Sequence, residues 1–127
     1  MPRGALVVFR RPGYPSQKLA KRIVAVTGDR VSVDKADKPG QCRIGVNGAF
    51  IQSATGERRE FRCSRTRVLG SYSGDSEPSF VVPTNALMVL GEDVGSLDSI
   101  DFGLIPYSAV VGVVISGLWP SFSTTIR

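Results

Sequence analysis

The sequence predicts an all-β domain, a barrel or sandwich with an inserted polar β lobe, and three observations lead to the all-β class. Short segments rich in Val, Ile and Phe recur between clusters of Gly, Pro, Asn and Asp, as strands and their turns do. No segment sustains a helical apolar period. The 127 residues, 42% hydrophobic and 21% charged, suffice to enclose one core but not two ordinary domains.

Taken in order, strands are expected at 5–10, 19–26 and 30–34, with Gly28-Asp29 closing the second. Asn47-Gly48 between 43–46 and 49–53 is a hairpin signal, because both residues tolerate positive φ. Further strands are expected at 58–63, 79–82, 86–90 and 108–116. From 35 to 78 the chain turns polar and irregular, with Lys38-Pro39-Gly40 near one end and the Ser- and Gly-rich residues 71–78 at the other. This stretch is expected to form a lobe inserted in a core made by 1–34 and 79–120, all within one domain, 1–127. A short helical turn is expected between 95 and 102, where Ser96 and Asp98 can bond nearby backbone donors.

Several function classes are disfavoured. The longest apolar stretch, 109–119, is broken by Gly112, Ser116 and Gly117 and falls short of the ~20 residues of a spanning helix. Residues 1–11 set Val7, Val8 and Phe9 among arginines without a signal-peptide core or cleavage site, so any anchor or targeting segment is expected to lie outside this chain. Cys42 and Cys63 are not CxxC-spaced and there is no histidine, which removes the common zinc sites and leaves one disulfide or none. The net charge of +5 suits nucleic acid, anionic lipid or plain solubility. Five arginines between Arg58 and Arg67 make the most basic stretch, read first as a solvated face and second as a contact for anionic headgroups. Phe61 is its only aromatic, whereas single-strand nucleic-acid platforms interleave several, so no nucleic acid is expected.

Lys21 is the residue most out of place. In an extended strand Leu19, Lys21, Ile23 and Ala25 share one face, and three of the four are apolar. An amine enclosed by apolar groups loses its preference for the charged form and can act as a general base for a serine nucleophile. The plain alternative is a strand-edge lysine that reaches out to water. Carboxylates and hydroxyls also crowd the segment 91–103, but their spacing does not fit a calcium loop, and no metal is expected.

Arg3-Gly4-Ala5-Leu6-Val7-Val8-Phe9, followed by Lys21-Arg22-Ile23-Val24-Ala25-Val26-Thr27-Gly28-Asp29, resembles the lysine-bearing box of type I signal peptidases. Val82-Pro83, Leu87-Met88-Val89-Leu90-Gly91, Ser96-Leu97-Asp98-Ser99 and Phe102-Gly103 resemble the later boxes of that family, in the same order. Pro15-Ser16-Gln17-Lys18, the Gly95-Ser96-Leu97-Asp98-Ser99 segment and Leu118-Trp119-Pro120 are most similar to the second-subunit type of the mitochondrial inner membrane peptidase. Against that branch, the lobe 35–78 is longer than it implies, and Val46-Asn47-Gly48 looks more like bacterial signal peptidases and their conjugative-transfer relatives.

The resemblance implies a serine endopeptidase with a Ser-Lys dyad that removes signal or targeting peptides and needs no cofactor. Lys21 is then the general base, Ser96 orients its amine, and Asp98 holds the surrounding loop. Leu19 and Ala20 offer strand backbone to an extended substrate, a form of strand addition. It further implies a membrane anchor and possible pairing with a second peptidase subunit. The expected location is the intermembrane-space face of the mitochondrial inner membrane, or else the bacterial plasma membrane; the former permits a disulfide. The sequence also departs from the family. The nucleophile belongs to a Ser-x-x-Pro motif upstream of the lysine, and Ser16, the sole serine before Lys21, lies instead beside Pro12 and Pro15. The nucleophile is therefore expected to be absent from this chain. Ile100 stands where an arginine often follows Asp-Ser, and Glu92-Asp93 replaces a carboxylate-amide pair. Two other readings remain open: an inactive relative that binds extended peptides or partners a peptidase subunit, and a basic β-barrel that binds nucleic acid.

Overall fold

The computed structural model describes residues 1–53, 55–70, 79–91 and 97–114. Strands β1 (Leu6–Arg11) and β2 (Tyr14–Val26) form an antiparallel hairpin, with Phe9 opposite Leu19 and Val7 opposite Lys21. The pairing continues to Arg11 opposite Tyr14, so β2 starts five residues earlier than its apolar pattern suggests. Alternation cannot signal that part of the strand, because residues 14–18 are exposed.

Strand β3 (Arg30–Lys35) pairs with β4 (Gln41–Val46), which turns back into β5 (Ala49–Phe50). The expected Asn47-Gly48 hairpin is present, with φ of 51° and 87° at its two residues. The strand expected at 49–53 ends at Phe50, although Ile51 N–H still donates to the Ile44 carbonyl at 2.9 Å. Next come β6 (Glu60–Arg62), paired to β4, the helical turn α1 (Arg67–Gly70) and β7 (Ser79–Val81), paired to β3. The expectations had no helix at α1, since a single turn has no measurable period.

Strand β8 (Ala86–Leu90) is buried along its whole length. It is followed by α2 (Ser99–Phe102), β9 (Ile105–Pro106) and a 3-10 turn (Tyr107–Ala109) that occupies the start of the strand expected at 108–116. The chain then enters β10 (Val110–Val114), which pairs with β1; residues 115 and 116 of the expected strand lie outside the described residues. One sheet runs β10-β1-β2-β8-β9, and the other runs β5-β4-β3-β7 with β6 attached to β4.

Two apolar clusters flank β8. Val7, Phe9, Ile23, Leu87, Val89 and Ile105 gather on one face of the first sheet. On its other face Val24, Ala25, Met88 and Leu90 meet Val31, Ile44, Val46 and Phe80 from the second sheet. A bulge allows β2 to serve both clusters: Ile23 faces Val89 and Ala25 faces Met88, so Val24 is an extra residue. The face shared by Leu19, Lys21 and Ile23 therefore does not continue to Ala25 as strict alternation predicts. A disulfide joins Cys42 and Cys63, resolving what the sequence left open.

Candidate active site

Lys21 lies on β2 with its side chain half-buried. Its cross-strand partner is Val7, a member of the cluster that also holds Ile23 and, at its margin, Leu19. Cross-strand partners point to the same face, so the amine stem runs along an apolar surface. The expected lysine among apolar neighbours is thus what the fold places there.

Just here β2 loses one of its two neighbours. Strand β8 pairs with β2 only from Arg22, opposite Leu90, to Val26, opposite Leu87. Residues 14–21 are paired with β1 alone among the described strands. Hydrogen bonds just ahead of β1 show which backbone groups face the open edge. Gly4 N–H donates to the Ile23 carbonyl at 2.8 Å and Ile23 N–H to the Ala5 carbonyl at 2.9 Å, a bulge with Gly4 at φ 88°. The backbone of Ile23 therefore points toward the β1 side, and by alternation so do those of Lys21 and Leu19. Ala20 points its N–H and C=O to the open edge. Leu19 contributes its side chain to the cluster instead.

One step beyond the paired Arg22 and Leu90 lie Lys21 on β2 and Gly91 after β8. Asp98 grips Gly91 from below the sheet end. Its Oδ2 accepts from Gly91 N–H at 3.1 Å and its Oδ1 from Ile100 N–H at 3.0 Å, while Asp101 Oδ2 accepts from Asp98 N–H at 3.1 Å. These bonds form a reciprocal cap on α2. Ser99 adds another tie, its Oγ accepting from Val89 N–H at 2.9 Å. Asp98 is 1% exposed, and burial pushes its carboxyl above the usual range. The N–H groups of Gly91 and Ile100 act against that shift, nearby Asp101 adds to it, and Arg59 opposes it. Ser96 lies outside the described residues.

Other ties were harder to foresee. Arg22 is buried and donates to the Gly4 carbonyl at 2.7 Å, so the second residue of the Lys-Arg pair bonds to the bulge ahead of β1. Asp29 accepts from Val26 N–H at 2.8 Å and from Asn47 Nδ2 at 2.9 Å, and Asn47 Oδ1 accepts from Arg30 N–H at 2.8 Å. The Gly28-Asp29 turn thereby joins the two sheets. The arginine stretch is a solvated face only in part: Arg58 and Arg62 are exposed, whereas Arg59 and Arg65 are half-buried and bonded within the molecule. Arg59 Nη1 donates to the Gly91 carbonyl at 2.7 Å, and Arg65 pairs with Asp101 at 3.2 Å. Among the described residues no helix is long and apolar enough to cross a membrane, and no group of His, Cys, Asp and Glu could hold a metal ion.

A family model described as signal peptidase, peptidase S26, matches residues 1–119. The chain belongs to the signal peptidase family. It is 27% identical over 119 residues to the mitochondrial ATP-independent inner membrane protease subunit 1b of Arabidopsis thaliana, covering 93% of this chain and 50% of that protein. The chain thus spans half the length of that relative, whose name carries the number of the first subunit where the motifs suggested the second. The crystal structure of a signal peptidase I from Enterococcus faecalis superposes with a TM-score of 0.60 at 23% identity, covering 91% of this chain and 97% of that one. At that identity the likeness speaks for the fold: a mostly β signal peptidase domain built on a curled sheet.

Proposed function

We propose that this signal peptidase domain carries the general base of a Ser-Lys endopeptidase that removes targeting peptides from membrane-translocated proteins. The observation that carries the reading is Lys21, half-buried on an apolar face where β2 opens an unpaired edge. An extended precursor adds to that edge, with Ala20 N–H and C=O as its hydrogen-bond partners and Leu19 alongside. Its scissile carbonyl then arrives beside the Lys21 amine. The amine takes the proton from a serine hydroxyl as its oxygen attacks that carbonyl; the scissile C–N bond then breaks as the lysine returns the proton to the leaving amine, and water hydrolyses the resulting acyl-enzyme. The serine comes from a segment other than those described. Ser96 orients the amine, and Asp98 fixes the loop from Gly91 to α2. Membrane association and work beside a second peptidase subunit belong to the same proposal, with the mitochondrial inner membrane as location and the bacterial plasma membrane as alternative.

The test is cleavage of a precursor peptide with Ala at the first and third positions before the cut. It compares this chain with the gene product extended upstream. Cleavage by the extended form, lost in Lys21→Ala, is the expected result; cleavage that survives Lys21→Ala removes Lys21 as the base. A second reading, an inactive peptide-binding subunit, draws on the same open edge. It predicts peptide binding without turnover in both forms.

A further inference from the structure

The residues 35–78 bring two arginines to the loop that carries Asp98, and nothing in the proposed chemistry has used them. Arg59 reaches across from the segment ahead of β6 to the Gly91 carbonyl at 2.7 Å. Asp98 holds the N–H of the same residue at 3.1 Å. Gly91 is therefore gripped from both of its backbone polar groups, and it is the last described residue before 92–96. Arg65 adds a second tether, donating to both oxygens of Asp101 at 3.2 Å, and Asp101 caps the backbone of Asp98. The platform behind these arginines is firm. The disulfide between Cys42 and Cys63 ties β4 to the end of β6, α1 lies against α2, and Leu69 shares a buried cluster with Ile100. The guanidinium of Arg59 also rests over the Phe61 ring at 4.9 Å, which restricts its rotamers.

We propose that Arg59 is a positioning residue: through it the disulfide-tied lobe sets Gly91 and Asp98 in place beside Lys21. The role rests on the peptidase reading for its purpose, but the contact can be tested without turnover. A planar guanidinium donating to a carbonyl fixes direction as well as distance, which an ammonium does not. Its charge also offsets that of the buried Asp98 carboxylate.

The experiment compares Arg59→Gln, Arg59→Lys and, as a control on the same cleft wall, Arg62→Gln. Readouts on the 127-residue chain are the NMR titration of the Asp98 carboxyl and hydrogen exchange at the Gly91 amide. Arg59→Gln is expected to raise the Asp98 midpoint and to speed Gly91 exchange at least tenfold. Arg59→Lys keeps the charge, so it is expected to hold the midpoint near wild type while Gly91 exchange still accelerates; it also serves if Arg59→Gln does not fold. Arg62→Gln is expected to change neither. In the extended gene product Arg59→Gln is expected to lower kcat about tenfold with KM within twofold. Arg59 variants that match Arg62→Gln in both titration and exchange overturn the proposal. Shifts in both readouts in a protein that never cleaves leave the positioning role standing and remove the peptidase reading alone.

Discussion

The two halves of β2 share one strand and almost nothing else. Residues 22–26 run alongside β8, Arg22 and Ile23 are also held by β1 or the residues ahead of it, and the stretch is mostly buried. Among the described strands, residues 14–21 are paired on one side only; they are mostly exposed and rich in polar side chains. The first set secures the fold, and the second presents the lysine and an open edge. A backbone unpaired along one side is costly to leave exposed, since it invites unwanted strand pairing. A use for that edge accounts for its retention better than stability does.

The comparison breaks most sharply at Lys21. Lys21→Ala in the extended gene product is expected to slow processing by about a hundredfold or more, as loss of a general base does. Its denaturant midpoint is expected to stay at or above that of the parent. Ile23→Ala, two residues on, is expected to do the reverse, costing about 2–5 kcal/mol in chemical unfolding for a deleted core side chain. Should Lys21→Ala unfold the domain, or Ile23→Ala leave it intact, the division of labour along β2 is wrong. Asn47→Ala comes next, at about 1–2 kcal/mol, because it removes bonds to Asp29 and Arg30 that join the sheets. Lys18→Ala, on the open half, is expected to stay within about 0.5 kcal/mol in the same assay.

Asp98 sharpens the comparison from the far side of the site. Burial raises its carboxyl above the ordinary value of 3.8, so in the folded state it binds a proton more tightly than in the unfolded one. Folding stability from this group is then largest below the unfolded value. It falls as pH climbs from about 3.8 to the raised folded value, and is flat above. Urea unfolding of wild type and Asp98→Asn across that interval is expected to show the parent losing stability relative to the variant as pH rises. A relative change of opposite sign contradicts the burial of this carboxylate.

The sequence made much of this legible. Val, Ile and Phe segments located most strands, Asn47-Gly48 its hairpin, and Lys21 its apolar face, because each depends on neighbours close in the chain. What escaped depends on pairing partners rather than on the pattern within one segment. The exposed start of β2 is held by β1, and no periodicity announces it. The extra residue at Val24 follows from pairing with β8, and alternation read from one strand overlooks it. Arg59 and Arg65 looked like a solvated run because their acceptors, Gly91 and Asp101, are far along the chain. The pairing of Cys42 with Cys63 required β4 and β6 to lie side by side.

The extra residue at Val24 also limits how the gene can vary. It works as a frame shift between the two ends of one strand, setting them out of phase so that lysine and core each find the correct side. A deletion there would restore simple alternation yet turn one end over relative to the other, exposing apolar side chains or withdrawing the amine from its surface. Length changes should therefore be purged within 19–26 and accumulate at the Lys38-Pro39-Gly40 turn, where no pairing phase is at stake. A survey of insertions across related genes would record that asymmetry as a gap-free window around the lysine.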